Sequence, residues 1–135
     1  VSFRPVYLDS SAILKLILPE PESEALEDAL QHWPHCLCSA LAVVECRRTL
    51  RRVGAVAAVE KRADGVLKAM VHLHLDEPVL RLAARIGSPL LRSLDAIHLA
   101  SALSLGDDPD AFITYDERLA SAARKLKLRV VQPGR

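Results

Sequence analysis

Five short apolar segments, each separated from the next by a longer stretch of helical pattern, limit what this chain can fold into more than any other feature. They are Val6 to Leu8, His35 to Cys38, Val71 to Leu75, Ala111 to Tyr115 and Leu128 to Val131. Strands that alternate with helices pair in parallel, because each helix carries the chain back to the starting edge of the sheet, and a parallel sheet must be covered on both faces. The expected fold is therefore α/β, a three-layer α/β/α sandwich. The residues between the segments agree. Asp9-Ser10-Ser11 opens a helix that runs to Leu18 and is stopped by Pro19 and Pro21, and Glu22 to Gln31 forms a second, solvated helix closed by Pro34. Ser39 opens a helix from Ala40 to Val53 that Gly54 stops, and Ala55 to Met70 is helical again. Asp76-Glu77-Pro78 starts a helix over Val79 to Ile86 that Gly87 and Pro89 end; Asp95 to Leu105 and Glu117 to Leu126 supply the last two. His72 and His74 alternate with Leu in the third segment, the pattern of an edge strand with one wet face.

At 135 residues the chain fits a single domain over 1–135, since domains run about 100–150 residues. Hydrophobic residues make up 50% of it and charged ones 26%, which supports a core and excludes disordered and low-complexity classes. No apolar run approaches the roughly 20 residues of a membrane span. The first such run, Tyr7 to Leu18, is broken by Asp9 and Lys15, unlike a signal peptide. Cys36, Cys38 and Cys46 form no Cys-x-x-Cys pair and read as reduced thiols in the core of a cytoplasmic protein. The net charge of +1 points to no partner, but it is segregated. Residues 20–28 carry acids without a cation, residues 118–135 carry cations without an acid, and Arg47, Arg48, Arg51 and Arg52 form a second basic stretch.

In open parallel sheets, ligands bind beyond the C-terminal ends of the strands, where strand order reverses. Asp9 follows the first strand and Asp116 the fourth, so the two share a rim if those strands are neighbours. Asp9, Asp95 and Asp116 each also stand at a helix start, where a carboxylate caps orphan backbone N–H groups. Ser10 or Ser11 can cap in place of Asp9, which makes Asp9 redundant for that task. Alternation from Phe112 to Asp116 puts Thr114 beside the Asp116 carboxylate, placed to hold a water or a phosphate oxygen.

Glu45 interrupts Ala40-Leu41-Ala42-Val43-Val44 in a helix interior. It falls off the expected core stripe of Val43, Cys46, Leu50 and Val53 and shares a flank with Arg48, Thr49 and Arg52, while Arg47 and Arg51 face away. The alternative is an ordinary surface pair with Arg48 or Thr49. Beside Asp95, residues Ala96, Leu99, Ala100 and Leu103 form a packing face of mostly small side chains. His98 reads as orienting a helix end or satisfying a core carbonyl, with an accessory or substrate contact as the alternative.

Four carboxylates with almost no nitrogen or sulfur ligand suit a hard cation. Mg²⁺ takes about six oxygens and usually engages one or two carboxylates together with substrate phosphate. Two such ions about 4 Å apart clamp the attacking water and the leaving oxygen of a phosphodiester displacement. Without metal the acids repel one another, so the cluster is a poor structural feature and a sensible metal trap.

Four stretches recur together in one known family: Val6-Tyr7-Leu8-Asp9-Ser10-Ser11-Ala12, Ser39-Ala40-Leu41-Ala42-Val43-Val44-Glu45, Arg92-Ser93-Leu94-Asp95-Ala96-Ile97-His98-Leu99-Ala100 and Ile113-Thr114-Tyr115-Asp116-Glu117-Arg118-Leu119. By their order and spacing the chain resembles PIN-domain ribonucleases, and among them the VapC-type toxins of bacterial toxin–antitoxin pairs. The resemblance implies a five-stranded parallel sheet of order 3-2-1-4-5, with Asp9, Glu45, Asp95 and Asp116 as the catalytic and metal-holding acids and Thr114 as an accessory contact. It implies endonucleolytic cleavage of RNA that depends on Mg²⁺ or Mn²⁺ and leaves a 5′-phosphate and a 3′-hydroxyl, homodimerisation, and neutralisation by a cognate antitoxin protein. Ser10, Arg48, Arg52 and Arg92 are the expected contacts to RNA alongside Thr114. Residues 20–35 and 54–90 match the family poorly.

Two other classes compete with this reading. An aspartyl-phosphate domain also places Asp after its first strand, but the dehalogenase type wants a second Asp where Ser11 stands. The receiver type wants a Lys after the last strand, where Gln132-Pro133 follows. A binding module that kept the fold and lost the chemistry is the non-enzymatic alternative, and the four intact acids weigh against it.

Overall fold

Parallel pairing governs the molecule. The computed structural model describes residues 1–135, in which five strands, β1 (Val6–Leu8), β2 (Cys36–Ser39), β3 (Val71–Leu73), β4 (Ala111–Ile113) and β5 (Val130–Val131), form one sheet of order β3-β2-β1-β4-β5. Every neighbouring pair is parallel. The connections are α1 (Ser10–Ile17), α2 (Ser23–Leu30), α3 (Ala40–Arg52), α4 (Ala57–Lys68), α5 (Glu77–Arg85), α6 (Ser93–Leu103) and α7 (Glu117–Lys125).

Alternation along the strands distributes the helices between the two faces. Val6, Leu8, Cys38, Ala111 and Ile113 point to one side, where they pack with Ala12, Ile13, Leu26, Ala42, Cys46, Leu50, Ala63 and Leu67 of α1 to α4. Tyr7, Leu37 and Phe112 point to the other, against Leu99 and Ala102 of α6 and Leu119 and Ala123 of α7. This is the three-layer α/β/α sandwich expected. β1 and β4 are buried along their whole length because they sit in the middle of the sheet and are covered on both faces. β3 is an edge strand, and His72 and His74 are exposed on it and just after it.

Three strands, β3, β4 and β5, are shorter than their apolar segments suggest. Pairing of β3 with β2 stops at Leu73, opposite Ser39, because Ser39 is already the cap of α3, its hydroxyl accepting from the Leu41 N–H at 3.1 Å. Ladder pairing of β4 likewise ends where β1 does, at Ile113 opposite Leu8, although Thr114 and Tyr115 continue buried. Gly54 and Gly87 adopt positive φ angles of 66° and 69° directly after α3 and α5, as helix stops do.

Three packing expectations need correction. The α3 stripe is Ala42, Cys46 and Leu50, with Val43 only half-buried and Val53 59% exposed, because Val53 is the helix's C-cap and stands outside the core. The acidic helix α2 is not wholly solvated: Leu26 is fully buried, and Glu22, just before it, joins Glu20 in pairing with the buried Lys15 at 3.2 and 2.8 Å. The buried face of α6 takes in Ala96 and the run from His98 to Ala102, wider than a stripe of small residues, because α6 is covered by α5 and the sheet together. The three cysteines are free thiols, as expected of reduced core residues. Burial pushes Cys36 and Cys38 up to about 11 and Cys46 up to about 12, so they act as small hydrophobes.

Leu99→Ala, at a wholly buried position between sheet and helix layer, is expected to lower the unfolding free energy by about 2–5 kcal/mol through lost burial and the cavity left behind. Leu90→Ala, at a side chain 91% exposed, should stay within about 0.5 kcal/mol. Urea unfolding midpoints, compared at constant slope, check both.

Candidate active site

The pairing of β1 with β4 carries Asp9 and Asp116 to one rim, since each follows its strand within three residues. The Asp9 N–H bonds the Ile113 carbonyl at 3.2 Å and so extends the ladder up to the rim itself. Asp9 is nearly buried, at 3% exposure, and both its oxygens are held. Ser11 Oγ and the Ala12 N–H donate to Oδ1 at 2.7 and 3.0 Å, and Thr114 Oγ1 donates to Oδ2 at 2.6 Å. Burial pushes its carboxyl above the ordinary range, and His98 with these three hydrogen bonds pulls it part of the way back.

Asp9 is itself the cap of α1, which corrects the expectation that a serine relieves it of that task. Ser11 is occupied elsewhere: it donates to Asp9 and accepts from the Tyr115 N–H at 2.9 Å. Ser10, at the first position of α1, is half-buried. Thr114 is fully buried, donates to Asp9, and accepts from the Asp116 N–H at 3.1 Å. It joins two acids and is closed to solvent, so its expected role as a contact to water or phosphate gives way to one of holding Asp9. The alternation argument placed it beside Asp116 only, because the reach across to the neighbouring strand is invisible along one chain segment.

The other three acids are less constrained. Asp116 is exposed and caps α7 through Oδ1, which accepts from the Arg118 and Leu119 N–H groups at 2.9 and 3.2 Å; Oδ2 has no protein partner. Asp95 lies in the first turn of α6, half-buried, without a side-chain hydrogen bond. Burial pushes its carboxyl up first and the charge of Asp116 second, with Glu45 adding to the same effect; His98 and Arg92 oppose it. Asp95 is therefore close enough to both other acids to be destabilised by them. Glu45, halfway along α3, places Oε1 2.6 Å from His98 Nε2, so it is not paired with Arg48 or Thr49 as in the surface alternative.

His98 is the residue that sequence reasoning misjudged. At 2% exposure it satisfies neither a helix end nor a core carbonyl but spans from Glu45 to the Tyr7 hydroxyl, 2.8 Å from its Nδ1. The only signal in the sequence was its spacing from Asp95; Tyr7 lies 91 residues away and carries none. Among the arginines, Arg48, Arg52 and Arg92 are exposed, Arg52 donating to Thr49 Oγ1 at 3.3 Å and Arg92 standing as the cap residue of α6. Arg47 is spent on Glu60, at 3.2 Å, and Asp64, tying α3 to α4.

All donors at this rim are oxygens, and uncompensated negative charge accumulates there, which is what a divalent cation of the Mg²⁺ class relieves. No three ligating groups already stand in a coordination shell, so the fit lies in donor chemistry: Asp95 has no side-chain hydrogen bond, Asp116 keeps Oδ2 unpaired, and Glu45, held at Oε1 by His98, keeps Oε2. The concavity of about 580 Å³ between α1, α2 and α4 contains none of the four acids.

An acid after each of two central parallel strands, a third opening a helix and a fourth inside another is the arrangement of a known class, and the PIN domain model matches residues 6–125. The chain belongs to the PIN-domain family, in its VapC branch. It is 44% identical over 131 residues to ribonuclease VapC46 of Mycobacterium tuberculosis, covering 95% of this chain and 97% of that one. It is 40% identical over 133 residues to ribonuclease VapC47 of the same species, covering 96% and 97%. Among solved structures the fold matches FitAB bound to an IR36 DNA fragment, with a TM-score of 0.71 at 17% identity over 96% of both chains. It also matches Mycobacterium tuberculosis VapC20, described as a sarcin–ricin loop cleaving toxin, with a TM-score of 0.69 at 16% identity over 87% of this chain and 94% of that one.

Because the folded protein holds a proton on Asp95 to higher pH than the unfolded chain does, stability of the metal-free protein falls as pH rises from the ordinary carboxylate range through the raised value. Asp95→Asn removes that loss. The variant in EDTA should unfold at higher temperature than wild type at pH 7, and the gain should vanish as the pH is brought below the ordinary carboxylate range. Thermal unfolding across a pH series measures this.

Proposed function

We propose that this chain is a divalent-metal-dependent endoribonuclease, the toxin partner of a toxin–antitoxin pair. The observation that carries it is Asp95, half-buried with no hydrogen-bond partner and pressed by the charges of Asp116 and Glu45 at the rim where Asp9 also ends. Such a cluster costs stability and is relieved by a cation. The curated relatives, named ribonucleases over nearly their full length, support the same reaction class.

In this reading Asp9, Asp95, Asp116 and Glu45 hold Mg²⁺, or Mn²⁺ in its place. When bound, the ion supplies the Lewis-acid charge that a phosphodiester displacement requires. Asp9 is the fixed point of the set, since three donors hold its two oxygens. Asp116 offers Oδ2, Asp95 both oxygens. Glu45, with Oε1 held by His98, keeps Oε2 to orient the attacking water. The water adds to phosphorus, the bond to the 3′ oxygen breaks, and that oxygen takes up a proton, leaving a 5′-phosphate and a 3′-hydroxyl. Arg48, Arg52 and Arg92, all exposed near the acids in sequence or charge, meet the RNA phosphates, with Ser10 at the edge of the pocket.

The partner reading rests on the structural neighbours, which include a toxin–antitoxin complex from Klebsiella pneumoniae, TM-score 0.67. We assign this chain a cognate antitoxin, a homodimeric state and a cytoplasmic site of action; no helix is long and apolar enough to cross a membrane, and the cysteines are free.

Cleavage of end-labelled RNA by the purified protein, with Mg²⁺ and with EDTA, tests the proposal. Activity should require the metal, and Asp9→Asn and Asp116→Asn should each lower it by at least about 10²-fold, the scale of losing a group that stabilises transition-state charge. Undiminished metal-dependent cleavage by both variants overturns the assignment. Separately, Arg48→Ala and Arg52→Ala should each weaken RNA binding and reduce the slope of log affinity against log salt by about one, measured by fluorescence anisotropy.

A further inference from the structure

One buried side chain connects the acidic rim to the opposite face of the sheet. His98, on α6, has Nε2 2.6 Å from Glu45 Oε1 on α3 and Nδ1 2.8 Å from the Tyr7 hydroxyl on β1. Three elements remote in sequence thus meet in a continuous chain of hydrogen bonds. Tyr7 is wholly buried, its ring stacked on Phe112 at 5.1 Å and edge-on to His98 at 6.0 Å. Its rotamer is therefore set by packing on both sides.

The direction of these hydrogen bonds follows from their partners. An ionised carboxylate only accepts, so Nε2 carries a hydrogen and donates it to Glu45. Burial keeps Tyr7 a phenol far above its ordinary range, and a buried phenol needs an acceptor for its proton. His98 Nδ1 is that acceptor, and an imidazole that accepts at Nδ1 has its hydrogen on Nε2. Glu45 has no other side-chain partner: it lies mid-helix, away from any cap, and its neighbours Arg48 and Thr49 do not bond it. A glutamate without that donor is free to turn about its side-chain bonds, while one held at Oε1 presents only Oε2.

We propose that His98, oriented by Tyr7, is a positioning residue that fixes Glu45 for divalent-cation binding at the rim. The inference rests on the metal-nuclease reading and adds to it the device that holds the one acid placed away from any strand or helix end. Hydrogen bonds from outside a coordination shell onto its ligands affect metal affinity by about 10–100-fold.

The test is Mn²⁺ affinity of the metal-free full-length chain, read from the free-ion EPR signal, with thermal unfolding in EDTA recorded for every variant. His98→Leu should weaken Mn²⁺ binding by about tenfold or more. His98→Gln, which restores an N–H donor at the position of Nε2, should lie closer to wild type than to His98→Leu. Tyr7→Phe should give an intermediate loss, because the donor stays while its orientation loosens. Folded His98→Leu with wild-type affinity overturns the proposal, and so do His98→Gln and His98→Leu weakened equally, since the hydrogen bond then plays no part. If His98→Leu does not fold, an unchanged affinity in Tyr7→Phe overturns the role given to Tyr7 and with it the proposal. Wild type that binds no Mn²⁺ overturns the metal reading itself, an outcome distinct from wild type that binds and variants that match it.

Discussion

The pairing of β1 with β4 in the middle of the sheet is the contact on which the rest of this molecule depends. Three residue pairs, from Val6 with Ala111 to Leu8 with Ile113, hold together chain segments more than one hundred residues apart. Everything beyond the last pair inherits that register. Asp9 continues the ladder through the Ile113 carbonyl, Thr114 reaches across to Asp9, and the Asp116 N–H bonds back to Thr114. A shift of one residue would turn Thr114 to the other side and cost the buried Asp9 one of its three donors, about 1.5–3 kcal/mol on the scale of a hydrogen bond to a charged group.

The acids divide by how much the protein compensates them. Asp9 is expensive to bury, and the fold answers with two hydroxyls and a backbone N–H. Asp95 receives no such support and lies near two like charges. The difference makes physical sense if the site is organised around something the polypeptide does not supply: Asp9 is held by three donors and Glu45 by His98, while Asp95 is left without a partner. Exposed Arg92, three residues before Asp95, offsets part of the charge around it.

Local chemistry was legible where neighbours in sequence decide it. The α/β alternation, the stops at Gly54 and Gly87, the cap at Ser39, and the edge position of β3 all follow from short-range pattern, and the structure bears them out. Of the four acids Glu45 stood out as an exception to such patterns, a charge in the middle of an apolar helix, whereas Asp9, Asp95 and Asp116 stand where caps are expected and were marked as a set by the family resemblance. What periodicity misplaced was depth. Val53 looked like core because it falls on the right phase, yet it caps a helix that has run past the sheet. Leu26 looked solvated among acids, yet it closes the core beneath α2.

Composition and spacing by themselves pointed to a parallel α/β sandwich and put Asp9 and Asp116 just after two of its strands, while the strand order that makes those two neighbours was implied only by the family resemblance. Only the tertiary structure decided which groups serve those carboxylates. Ser11 abandons its capping role to hold Asp9, Thr114 turns inward, and His98 bridges Glu45 to Tyr7. The reason is one of range. Helical and strand periods arise from backbone geometry within a few residues, whereas a hydrogen bond across 91 or 105 residues depends on the register of the sheet and the seating of α6 upon it, which no local pattern encodes.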